Sequence, residues 1–219
     1  MSHDSGKRSV VGRIIDNQES LIVRLYARIR FVILREDFLR EIGQYLPQEG
    51  RVLDLGCGFG LFSLYFGLVA PGRKLTGIDL SEKRVAWATR CAEKLGATNV
   101  EYSASDLVEW EGRGEFDAVY MLDLMHHLPK DAVPEFLKRV VDLIVPGGVL
   151  VLKDVSNRPL YKKWFTLALD RLMVGMDPIH YWDPEEIIPV LEGLGLSVKR
   201  HTMNDILPYP HILYVCTRT

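Results

Sequence analysis

Aspartate and alternating glycines stand together in VLDLGCGFG: Asp54, then Gly56, Gly58 and Gly60, with Cys57 between the first two glycines. Glycine tolerates a left-handed backbone and lets main chain approach a ligand closely. The run therefore predicts a strand-to-helix turn wrapped around a nucleotide-like cofactor. A pyrophosphate-binding turn wants G-x-G-x-x-G, whereas here the third glycine comes one residue early and Leu61 takes its usual place. An anion is also a poor guest beside Asp54. Acid and spacing together favour a cofactor that carries positive charge and no pyrophosphate. A second set of residues could move protons: His126 and His127 follow the apolar run AVYML, and His180 and Tyr181 stand just before the DPEE of residues 183–186. An imidazole, with an ordinary pKa of about 6.5, is poised to accept a proton near neutrality.

Bringing these groups together requires a scaffold. Five segments with strand character, Val52 to Leu55, Lys74 to Ile78, Val100 to Ser103, Ala118 to Met121 and Val149 to Leu152, each lead into an aspartate: Asp54, Asp79, Asp106, Asp123 and Asp154. Stretches with helical periodicity, such as Glu82 to Leu95 and Ala132 to Leu143, separate them. Strand alternating with helix predicts an α/β fold. In an open sheet of that kind ligands bind outside the carboxyl ends of the strands, so the five acids would line one rim.

With these residues in hand the chain resembles the class I S-adenosylmethionine-dependent methyltransferases, densely over residues 50–155. The sulfonium and ammonium of that cofactor meet both demands of the glycine turn. The resemblance implies a doubly wound, mostly parallel seven-stranded sheet with an antiparallel C-terminal strand, N-terminal helices and a helical lid. It also implies that the loop from Asp54 to Gly60, including Gly56, Cys57 and Gly58, wraps the methionine end. Asp79, 19 residues past Gly60, would take the ribose hydroxyls, with Leu80 packing on the adenine. Asp106 in SASDL would meet the adenine amino group beside the Leu107 amide. FDAVYMLDLMHHLP matches the fourth strand, which places Leu122 with the cofactor-binding residues and His126 and His127 where acceptors are met, His127 being the preferred base. The cluster Asp123-x-x-His126-His127 is similar to the E-x-x-E-H with which ubiquinone-biosynthesis O-methyltransferases hold a divalent metal. Here His126 stands in place of a carboxylate, so no metal is assigned.

Composition sets bounds on partners. The 219 residues, 47% of them hydrophobic, suffice for one domain with a full core, and a net charge of -2 argues against a nucleic-acid partner. Three cysteines, Cys57, Cys91 and Cys216, have no metal-type spacing and point to a reducing, cytoplasmic setting. MSHDSGKRSV lacks the apolar core of a signal peptide. The single domain divides into an N-terminal helical extension at 1–48, a cofactor-binding core at 50–155, a lid insertion at 156–183 and a C-terminal helix and hairpin at 184–219. Residues 18–45 and 158–182 are amphipathic and basic, and are expected to pack as a cover. They leave open peripheral membrane contact, a lipid-like acceptor and a homodimer. The expected chemistry is in-line methyl transfer to a small or amphipathic acceptor, O-methylation before N- or C-methylation, with His127, His126, His180 and Tyr181 as the candidate catalytic residues.

Overall fold

A computed structural model describes residues 9–106, 114–155, 180, 182–202 and 211–219 of the chain. Its centre is a seven-stranded sheet in the order β3-β2-β1-β4-β5-β7-β6. The strands are β1 (Gly50–Leu55), β2 (Arg73–Asp79), β3 (Val100–Ala104), β4 (Phe116–Leu122), β5 (Ile144–Val155), β6 (Leu196–Thr202) and β7 (His211–Arg218). Only β7 runs against the rest, pairing antiparallel with both β5 and β6. A parallel sheet is covered on both faces, which is why its strands read as nearly continuous apolar runs. From β1 the chain winds outward through β2 to β3, then returns to β4 on the other side of β1, with Leu53 paired to Thr76 on one flank and Val119 on the other. That reversal opens a crevice at the carboxyl ends of β1 and β4.

Alternation along the strands sends side chains to two cores. Ala118, Tyr120, Val151 and Leu213 face the layer formed with α1 (Val10–Asp16), α2 (Leu21–Ile33), α3 (Glu36–Gly43), α4 (Leu61–Val69) and α5 (Glu82–Leu95). Val119, Met121, Leu150 and Leu152 face α6 (Val133–Leu143) and α7 (Pro184–Gly193). The N-terminal extension is helical as expected and holds an additional helix, α1, capped by the Ser9 hydroxyl on the Gly12 amide at 3.1 Å. Its Ile14 is fully buried against the core. At α7, Asp183 sits at the N-cap with Pro184 as the first helical residue, and the Glu186 carboxylate accepts from the Asp183 amide at 3.1 Å. Gly147 and Gly148 lie within β5. Gly147 has φ 78°, and the register between β4 and β5 shifts between Phe116 and Ala118 beside it. A Cβ at Gly148 would come within 2.9 Å of the Asp117 carbonyl oxygen, so glycine is required there for close approach of main chain. The lid insertion lies almost wholly outside the described residues.

Candidate active site

Glycine loop and β2 end are stapled together before any ligand is considered. The amides of Gly56 and Cys57 donate to the Ile78 carbonyl at 2.8 and 3.0 Å, and the Gly58 amide donates to Asp79 Oδ2 at 2.9 Å. Asp79 Oδ1 accepts from the Ser81 amide at 2.9 Å and faces Arg84 at 3.1 Å. Gly56, Gly58 and Gly60 all hold positive φ, at 76°, 55° and 71°. Two of them are also closed by packing: a Cβ would lie 2.9 Å from Leu124 at Gly56 and 2.4 Å from the Tyr102 hydroxyl at Gly60. At Gly58 the nearest atom among the described residues is Asp79 Oδ2, at 4.0 Å. That position is the open floor of the loop, beside a carboxylate already fixed in place.

The other predicted cofactor residues that are described stand at or just beyond the ends of β1, β2, β3 and β4. Leu80 is 75% exposed, an apolar side chain on the rim next to the acid, suited to covering one face of an adenine ring. Asp106 is exposed two residues beyond β3, and Leu122 closes β4 from the buried side. Cys57 is buried, and burial pushes its thiol far above the ordinary range, which leaves it a packing residue rather than a nucleophile. Leu107 falls outside the described residues. Open floor, fixed Asp79 and exposed Leu80 and Asp106 fit a nucleoside carrying a charged tail.

Asp54 lies beneath the loop rather than on its surface. It is 4% exposed, and the Ser63 hydroxyl donates to its Oδ2 at 2.5 Å. Burial pushes its carboxyl up to about 7, against the lowering effect of Ser63 and the neighbouring Tyr120 phenol, and the charge of Asp79 adds to the rise. No described cation is paired with it. The field of a cationic ligand above the loop would complete what the protein leaves uncompensated.

At the ends of β4 and β5 the charges are internally matched. Asp123, the first residue after β4, adopts φ 60°, an unusual conformation for a non-glycine residue. Its carboxylate is held by Arg30 of α2 at 3.0 Å and by the fully buried Lys153 of β5. Burial alone would raise the Asp123 carboxyl, but the Lys153 ammonium and the Arg30 guanidinium hold it well below the usual carboxylate range. The next residue along β5, Asp154, serves the opposite face. Its Oδ1 lies 2.5 Å from His126 Nδ1 and its Oδ2 accepts from the His126 amide at 3.1 Å. An acceptor-only carboxylate on Nδ1 assigns the proton to that nitrogen and the lone pair to Nε2.

His126 is 2% exposed on the short 3₁₀ turn Met125–His127, while His127 is half-buried with its ring 4.2 Å from that of His126. The His180 amide donates to the His126 carbonyl at 2.7 Å, which brings the edge of the lid insertion to the same place. Tyr181 lies outside the described residues. Arg30 and Lys153 were not legible as site residues, because nothing local marks a pairing of residues 93 and 30 positions from Asp123 in sequence. Asp154 stood out only as another strand-end acid.

The pattern of these residues agrees with known proteins. A family model described as a methyltransferase domain matches residues 26–201. The chain belongs to the S-adenosylmethionine-dependent methyltransferases. It is 31% identical over 164 residues to a ubiquinone biosynthesis O-methyltransferase of Rhodopseudomonas palustris, a match that covers 69% of this chain and 60% of that one. The chain thus spans less than two thirds of that curated relative. The fold of this methyltransferase is also that of a SAM-dependent methyltransferase from Aquifex aeolicus, with TM-score 0.63, 22% identity, and 84% and 89% of the two chains covered. A geranyl diphosphate C-methyltransferase from Streptomyces coelicolor, solved with S-adenosyl-L-homocysteine, superposes with TM-score 0.68 at 14% identity, covering 84% of this chain and 74% of that one. The cofactor of this family supplies a methyl group on a good leaving sulfide, and the open backbone at Gly58 with Asp79, Leu80 and Asp106 fits such a group.

The Asp123-x-x-His126-His127 cluster does not fit a metal. Asp123 spends its carboxylate on two cations on the α2 side of the sheet, while His126 Nδ1 is held by Asp154 on the α6 side. The donors diverge instead of converging on one point.

Proposed function

We propose that the enzyme methylates a hydroxyl of a small or amphipathic acceptor, with His126 as the base that takes its proton and Asp154 as the residue that orients and supports the imidazole. The observation that carries this reading is the buried pair at 2.5 Å between His126 Nδ1 and Asp154 Oδ1, set at the crevice where β4 and β5 end. A hydroxyl is a weak nucleophile near neutrality and gains from a neighbouring base, whereas methyl transfer itself asks chiefly for alignment in a site that excludes water. Asp154 suits the orienting role because its two oxygens grip both the ring and the main chain of His126. As the imidazole gains a proton, the adjacent carboxylate stabilises the imidazolium. The relatives named for ubiquinone biosynthesis O-methylation support oxygen as the acceptor atom.

A soluble phenol and its long-chain alkyl counterpart serve as probes, with release of S-adenosylhomocysteine as the readout and calorimetric titration of the cofactor alongside. His126→Asn is expected to lower kcat by about 100-fold or more while the cofactor Kd stays within about twofold. Asp154→Asn should follow the same direction and shift the pH profile, and His127→Asn should cost less than either. Wild-type turnover by His126→Asn would remove the proposal.

A further inference from the structure

Helix α2 carries two apolar faces, and the core needs only one of them. Val23, Ala27 and Phe31 are buried against the domain. Leu21 and Ile22 are each 79% exposed, and Leu25 and Val32 each 59% exposed, so four of the six large exposed apolar side chains found among the described residues belong to this one helix. Leu21, Leu25, Arg28 and Val32 follow one another at intervals of four, three and four residues, the spacing of a single helical stripe. Soluble proteins seldom leave such a stripe contiguous unless something covers it.

The charges of the helix say what covers it. LIVRLYARIRFVI holds three arginines and no acid, in a chain whose net charge is -2. Arg30 turns inward to Asp123, and Arg24 donates to the Gln18 carbonyl at 2.8 Å, whereas Arg28 stands exposed within the stripe. Neighbouring acids are already matched: Glu19 pairs with Arg90 and Lys94, and Asp37 with Arg40. We propose that the outward face of α2 docks the enzyme on an anionic lipid surface, Leu21, Ile22, Leu25 and Val32 entering the boundary between headgroups and acyl chains and Arg28 meeting phosphate.

Aliphatic side chains with a cation among them match that boundary, where apolar area and attraction to anionic lipid add. A second copy of the chain is a worse match, because a two-fold pairing of the stripe on itself would bring two Arg28 guanidiniums together with no carboxylate on either helix. A protein partner is also disfavoured, since the face offers no exposed tryptophan or tyrosine, the residue types that anchor such contacts. Arg30 on the same helix reaches the Asp123 pair, so a lipid surface at α2 would lie beside the mouth of the site and within reach of an amphipathic acceptor. The surface is built this way whichever acceptor the site takes.

Co-sedimentation of the full chain with vesicles separates the outcomes without reference to turnover. With phosphatidylcholine containing about one third phosphatidylglycerol the wild type is expected to pellet, less so at high salt, and far less with phosphatidylcholine alone. Leu21→Ser with Leu25→Ser should weaken binding about tenfold or more, and Arg28→Glu should remove the preference for the anionic vesicles. These side chains face solvent, so the melting temperature should hold. The single variant Leu25→Ala keeps the comparison alive should the double variant misfold. Failure of the wild type to pellet, or unchanged pelleting of Leu25→Ala and Arg28→Glu, overturns the proposal. So does a wild-type dimer, seen by light scattering, that Leu25→Ala dissociates while vesicle binding is absent.

Discussion

The two halves of the strand-end rim treat a buried carboxyl in opposite ways. At β1, Asp54 has a hydroxyl and a phenol beside it, and its carboxyl rises to about 7. Just after β4, Asp123 is largely buried too, its side chain 8% exposed, but Lys153 and Arg30 hold it far below the ordinary range. Burial acts in the same direction on both; what differs is whether the protein supplies the opposite charge. The β1 half leaves a carboxyl whose charge a cationic ligand could complete, and the β4 half matches its carboxylate from within the protein. A binding site stores its unmet electrostatic need, while a scaffold for catalysis satisfies its own.

The largest expected effect comes from breaking the self-sufficient half. Lys153→Met leaves Asp123 with one cation in a buried place and should cost about 3 to 5 kcal/mol of stability, read from urea denaturation at neutral pH. Adding Asp123→Asn should recover part of that loss; if Lys153→Met alone were neutral, the pair would not be the support described. Less costly for the fold is Asp79→Ala, which removes the acceptor that fixes the Gly58 amide and that would meet the cofactor. Cofactor affinity by calorimetry should fall about 10- to 100-fold, the worth of hydrogen bonds to a charged group.

A test by pH sharpens the contrast most. A folded-state value of about 7, against 3.8 for the ordinary carboxyl, means that ionisation of Asp54 favours the unfolded chain as pH rises above about 4, and the penalty is complete above about 7. Asp54→Asn should therefore raise the melting temperature at pH 8 and leave it nearly unchanged at pH 4. A cationic ligand favours the ionised form, so cofactor affinity of the wild type should rise by up to about tenfold from pH 6 to pH 8, and the variant should be flat over that range. A flat wild-type profile would show that Asp54 is not sensed by the ligand.

The sheet and its rim were readable because their signals are local. Asp54, Asp79 and Asp123 follow apolar runs directly, and glycines at 56, 58 and 60 mark positive φ wherever they are needed. The expected N-terminal helices were read from periodicity, but α1 is only seven residues long and gives too short a pattern to stand out. The pairing of His126 with Asp154 depends on which residue of β5 faces which side, a matter of strand register across 28 residues. Arg30 was visible as one basic residue among several on an amphipathic stretch. Its selection for Asp123 follows from where the fold sets α2 relative to the residue after β4, which no spacing within the helix encodes.

Lys153 and Asp154 are neighbours with opposite charge on opposite faces of β5, one answering Asp123 and the other His126. Sliding β5 by a single position would set an aspartate against an aspartate and an ammonium against the imidazole, each away from water. Mispairing of β5 with its neighbours β4 and β7 is thereby penalised twice, once in each core. The same two side chains that shape the reaction centre also proofread the assembly of the sheet.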